Sequence, residues 1–82
     1  MRVVVLAMVG KLLEEDAGEV RLPGEDGEIS VLDFHQPFLY RLRKGYIIVS
    51  SFTKAGGAEK RVPIKDGVAR MSGNVLTVLA AQ

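Results

Sequence analysis

The sequence predicts an all-β domain, a small sandwich or barrel of short strands. Three observations carry this. Short apolar runs rich in β-branched residues recur along the chain, Tyr46 to Phe52 being the clearest. Turn-forming residues separate them at regular intervals. No segment holds a helical period long enough to form a stable helix. The 82 residues allow one domain, 1–82, with no linker, repeat or low-complexity segment.

Arg2 to Met8 is short and β-branched, so strand is favoured over helix. Its two faces, Val3/Val5/Ala7 and Val4/Leu6/Met8, are both apolar. A strand with two dry faces is either covered on both sides or turns its outer face to a partner. Gly10 provides a turn, and Leu12 and Leu13 lie on a return strand. The acidic run Glu14-Glu15-Asp16 suits a solvated edge or loop, where charge discourages pairing with other chains. Glu19 to Leu22 alternates polar and apolar residues, as does Phe38 to Leu42 less cleanly. After Tyr46 to Phe52, Ala55-Gly56-Gly57-Ala58 reads as a hairpin turn and Glu59 to Ile64 as the returning strand. Pro63 cannot donate to a ladder, which confines that strand to an edge or a bulge. Asp66-Gly67 reads as a turn, Val68 to Met71 as a strand, Gly73-Asn74 as a turn and Val75 to Leu79 as the last strand.

The stretch Leu22 to Leu39 stands apart. Pro23-Gly24 predicts a type II bend, because Pro presets φ and Gly accepts a positive one. Only Ile29, Val31 and Leu32 supply apolar material before the next break. Two bends around one very short strand suit a corner of the fold.

Composition excludes several function classes. Without Cys there is neither disulfide nor thiolate metal site, and a single His rules out a His-based zinc cluster. Met1-Arg2 followed by Val3 to Val9 resembles a signal peptide faintly, but Lys11 cuts the apolar run short. The run is also far below the ~20 residues of a membrane-spanning helix. A core this small supplies only ~3–5 kcal/mol, so a partner surface is an expected source of further stability.

No catalytic constellation appears: the serines sit in no nucleophile elbow, and no phosphate loop or dinucleotide fingerprint is present. His35 reads as a turn residue anchoring its own loop or as an interface residue. Glu25, Asp26, Glu28 and Asp33 lack the ligand spacing of a calcium loop; Glu28 could also meet a polar or basic partner surface. Tyr40-Arg41-Leu42-Arg43-Lys44-Gly45-Tyr46 interleaves basic and aromatic residues. That composition would suit a small β-barrel binding single-stranded nucleic acid. A net charge of +1 argues against it and for aromatics facing the core with cations in water.

In Leu22-Pro23-Gly24, Gly27, Val31-Leu32, His35 and Pro37, the chain resembles the epsilon subunit of F-type ATP synthases, whose pattern is Leu-Pro-Gly-x-x-Gly-x-Phe-Gly-Val-Leu-Pro-x-His-x-Pro-Leu. Ser30, Asp33 and Phe34 depart from it, standing where Gly, Pro and often Gly are usual. The similarity extends along nearly the whole chain. Gly10-Lys11-Leu12-Leu13 resembles the first hairpin, and Leu42-x-x-Gly45 the family's Leu-x-x-Gly. Ile64 to Met71 takes the place of Val-Ser-Gly-Gly-Phe-x-Glu-Val, and Asn74-x-Leu76-Thr77-Val78-Leu79-Ala80 resembles the closing strand.

The resemblance implies a flattened β-sandwich of mostly antiparallel strands at the foot of a rotating central stalk. It implies a non-catalytic subunit with no cofactor and no metal. Its partners would be the gamma subunit and the membrane c-ring, not nucleic acid. Carried over by position, Ala7, His35 and Tyr40 would face gamma, and Glu28 the ring. The implied location is the cytoplasmic face of a bacterial inner membrane, peripheral and held through the complex. In the family two C-terminal helices follow this domain, which can bind ATP and inhibit hydrolysis; the sequence ends at Gln82, before them. The corresponding expectation is coupling without inhibition.

Overall fold

The computed structural model describes residues 1–51 and 59–82. Among them every regular element is a strand: β1 (Arg2–Ala7), β2 (Gly10–Asp16), β3 (Glu19–Gly24), β4 (Gly27–Leu32), β5 (Phe38–Leu42), β6 (Gly45–Ser50), β7 (Glu59–Ile64), β8 (Asp66–Ser72) and β9 (Val75–Ala81). They form one curled sheet in the order β2-β1-β9-β8-β5-β3-β6-β7, with β4 paired to β3. All pairings are antiparallel except β1 with β9.

The sheet folds over where β5 meets β3. Those strands share a single pair, Gly24 with Leu42. The layer β2-β1-β9-β8-β5 then faces the layer β4-β3-β6-β7, and their inner faces form one core. Val3, Val5, Ala69, Met71, Leu76 and Val78 come from the first layer, and Val20, Leu22, Val31, Ile47, Val49 and Ile64 from the second. Burying each such aliphatic side chain contributes ~1.5–3 kcal/mol. The result is the expected sandwich, drawn into a half-barrel.

The curl brings the two ends of the strand order together. Glu15 on β2 bonds Lys60 on β7 at 2.6 Å. Within the second layer, Glu59 on β7 pairs across β6 with Arg21 on β3 at 2.9 Å. The acidic run is therefore the second half of an edge strand, and Pro63 lies on the other edge. Both positions follow from the charge and the missing N–H.

Three local expectations are corrected. Pro23-Gly24 is not the bend: both residues are in β3, opposite Glu28 and Gly27, and the chain reverses at Glu25-Asp26. Gly24 is needed there for close approach, since a Cβ would lie 2.6 Å from the Gly27 carbonyl oxygen and from Ile29 Cδ1. The positive φ of the hairpin falls on Gly27, at 133°. Asp66-Gly67 is likewise strand, and a Cβ on Gly67 would meet the Leu79 carbonyl oxygen at 2.7 Å. Finally, β4 pairs with β3 over its whole length, so the Leu22–Leu39 stretch is mainly a hairpin rather than a corner. The turn expected at Ala55–Ala58 and the strand end at Phe52 lie outside the described residues.

The second bend, Asp33-Phe34, holds without the usual Pro and Gly. Phe34 takes a φ of 60°, and its N–H donates to Asn74 Oδ1 at 2.7 Å. The Asp33 carboxylate pairs with the Met1 amine, which also donates to the Ala17 carbonyl at 2.9 Å.

Candidate partner-binding surface

Alternation along β1, β9, β8 and β5 sends Val3, Val5, Leu76, Val78, Ala69 and Met71 inward. The residues between them point outward, and the register sets them in rows. Leu6, Leu79, Val68 and Arg41 form one row across the four strands. Val4, Thr77, Arg70 and Leu39 form the next, and Arg2, Val75 and Ser72 the third. Leu39 is 68% exposed, Leu79 57%, Val68 40% and Val75 37%. Met8 and Phe34, both exposed, stand beyond the first and third rows, Phe34 bonded to the turn residue Asn74. A sheet face turned to water ordinarily carries polar side chains. In these rows six of the eleven residues are aliphatic, with three arginines, Thr77 and Ser72 among them.

The sequence-derived positions fall around this face unevenly. Ala7 ends β1 and lines an open hollow of about 580 Å³ with Leu6, Met8, Arg41, Val68 and Leu79. Tyr40 lines a neighbouring cleft of about 300 Å³ with Glu25, Glu28, Ile29 and Arg41. Arg41 is common to both; its guanidinium lies 3.8 Å from Glu25. Glu28 is exposed at the β3–β4 hairpin, beside Tyr40 rather than on a separate surface. His35 is at the other end of β5. Its ring meets Phe38 edge-on at 5.2 Å, and Phe38 stacks on Tyr40 at 4.7 Å. From Leu42 to Phe38 the strand covers about 13 Å, at ~3.3 Å per residue. Tyr40 and Phe38 share the side of Ala69 and Met71, so Tyr40 and His35 stand at the open side of the sandwich and not in the outer rows.

His35 is also tied locally. Its N–H donates to the Leu32 carbonyl at 3.2 Å, and its Nδ1 lies 2.9 Å from the Gln36 carbonyl. This is the loop-anchoring role that the sequence offers. No group of three or more metal-ligating side chains occurs among the described residues. The nucleic-acid reading needs Tyr40 and Tyr46 on adjacent strands, but β3 lies between β5 and β6. Tyr46 is exposed rather than turned to the core, so the inward-facing expectation is corrected as well.

A profile of the family described as ATP synthase, Delta/Epsilon chain, beta-sandwich domain matches residues 1–82. The chain belongs to this family. The ATP synthase epsilon chain of Rhodobacter capsulatus is 41% identical over 70 residues, covering 85% of this chain and 50% of that one. The epsilon chain of Bordetella petrii is 30% identical over 80 residues, covering 98% and 55%. The chain thus spans about half the length of the curated relatives it matches. Among solved structures, a chain of the Tetrahymena thermophila mitochondrial ATP synthase central stalk and c-ring superposes with a TM-score of 0.82 at 12% identity. It covers all of this chain and 63% of that one. A chain of the Euglena gracilis mitochondrial enzyme gives 0.87 at 20% identity, covering 98% and 49%. At these identities both likenesses establish the fold alone.

The sequence reading missed the outer rows. Val68, Val75 and Leu79 were visible as apolar residues of both parities on neighbouring strands. Only the pairing of β8 with β9 and of β9 with β1 shows that they form one surface.

Proposed function

We propose that this domain is a non-catalytic rotor component of an F-type ATP synthase, holding the gamma subunit and resting on the c-ring to couple proton flow to ATP synthesis. The apolar outer face of β1-β9-β8-β5, in a domain of the epsilon family, carries the proposal. A contiguous apolar surface of this kind on a small domain marks a protein interface. Gamma covers that face, and it meets Tyr40 and His35 by reaching round to the open side of the sandwich at β5, since Tyr40 shares the side of Ala69; Ala7 lies at the end of β1. Glu28, at the exposed hairpin, meets the polar loops of the ring. The relatives are bacterial epsilon chains, which supports a place at the cytoplasmic face of a bacterial membrane, held there through the complex.

The test is binding to gamma and ATP-driven proton pumping in vesicles depleted of epsilon. Addition of the chain restores pumping. Tyr40→Asp lowers affinity for gamma about tenfold or more, because it sets a charge in a desolvated contact. It leaves the fold intact, since Tyr40 is 43% exposed. Failure of the wild-type chain to bind gamma would refute the reading; unchanged affinity of Tyr40→Asp would remove that residue from the interface.

A further inference from the structure

The arginines of the outer face are not equivalent. Arg2 bonds Glu14 at 2.8 Å and reaches Asp16 at 3.6 Å, and Arg41 lies 3.8 Å from Glu25. Arg70 has no carboxylate within ion-pair distance among the described residues. Its cross-strand neighbours are Leu39 on β5 and Thr77 on β9. With Ser72, Val75 and Thr77 it lines a shallow hollow. The domain therefore presents an un-neutralised guanidinium in the middle row of an apolar face, with two hydroxyls beside it.

Covering such a face strips water from the cation. Desolvating an arginine without an opposing charge is costly, whereas a carboxylate in bidentate contact offsets the loss and fixes orientation. We propose that Arg70 is a specificity-determining residue of the gamma interface, receiving an Asp or Glu side chain of gamma, with Ser72 and Thr77 hydroxyls completing the contact. This rests on the assignment of the face to gamma. A gamma surface that offers Arg70 no carboxylate leaves a desolvated charge unpaired, a mismatch that discriminates between partners.

The experiment measures the affinity of the full chain for its own gamma subunit by calorimetry, at low and at physiological salt. Arg70→Ala is expected to weaken binding about tenfold and Arg70→Glu about a hundredfold, with Arg70→Lys between wild type and Ala. Thermal midpoints stay at the wild-type value, because Arg70 is exposed and makes no ion pair among the described residues. Reversing one acidic residue of gamma to Arg restores binding of Arg70→Glu. Two results overturn the proposal alone: Arg70→Glu binding within about twofold of wild type while Leu79→Asp abolishes binding, or no single acid reversal in gamma rescuing Arg70→Glu. Wild type failing to bind, or Leu79→Asp binding normally, overturns the assignment of the face and the proposal with it.

Discussion

The two faces of the β1-β9-β8-β5 layer are built from alternate residues of the same strands, yet they solve different problems. The inner residues are closed off completely: Val3, Val5, Leu76 and Val78 have no exposed surface. Six of the eleven outer residues in the three rows are also apolar and remain half-buried or open. Strand propensity and register are common to both sets, so neither explains the difference. What differs is which surface this chain covers by itself. Apolarity on both parities of a strand fits two partners, one within the domain and, on the reading proposed above, one outside it.

The sharpest way to break this comparison is to truncate one residue on each face of β9. Leu76→Ala removes a fully buried side chain and should cost ~2–5 kcal/mol in urea unfolding, a large share of the stability of so small a domain. Leu79→Ala, three residues on, should stay within about 0.5 kcal/mol of wild type and instead weaken gamma binding. Comparable destabilisation by both would mean that the chain itself covers the outer face, contrary to the open surface described above.

This contrast also marks how far the sequence is legible. The strands were readable because each is short, β-branched and bounded by turn residues. The edges were readable because Glu14 to Asp16 and Pro63 suit few other places. Pro23-Gly24 and Asp66-Gly67 misled for one physical reason. A glycine required for close backbone approach looks the same in sequence as a glycine required for positive φ. At Gly24 and Gly67 the neighbouring carbonyl oxygen, not a turn, excludes a side chain. The position of β4 and the shared cleft of Tyr40 and Glu28 depend on long-range pairing, which local patterns do not encode. The resemblance supplied Ala7, His35, Tyr40 and Glu28 as individual positions. It did not supply the rows of Leu39, Val68, Leu79 and Arg70 between them.

Phe34 sharpens the boundary of the outer face. It is 80% exposed and holds a left-handed φ of 60°, a conformation costing a non-glycine residue ~1–2 kcal/mol. Glycine removes that strain but adds unfolded-state entropy worth ~0.5–1 kcal/mol. Phe34→Gly should therefore stabilise the isolated domain by about 0.5–1 kcal/mol in chemical denaturation. A gain accompanied by weaker gamma binding would extend the partner surface past Val75 to this loop. A gain with unchanged binding would end it at Val75. A loss of stability would show that the ring contributes packing beyond what its exposure indicates.

The smallest effect is expected at the charged edge formed by β2 against β1, where the outer rows run out into solvent. Glu14 accepts hydrogen bonds from Lys11 and Arg2, and these hold its carboxyl below the usual value, Lys11 contributing most. The same contact raises Arg2, chiefly through the Glu14 hydrogen bond, further above the range in which proteins are handled. A carboxyl with a depressed folded-state pKa stabilises the fold above its unfolded value, near 4.5, and loses that contribution as pH falls through the lower folded value. Glu14→Gln should be slightly less stable than wild type at neutral pH, with the difference shrinking on the acid side of that value until the curves meet. The group is exposed, so salt should shrink the difference as well. Urea midpoints across the acid range, at low and high salt, provide the check. A gap that persists undiminished at both extremes would assign Glu14 a packing role in the edge strand instead of an electrostatic one.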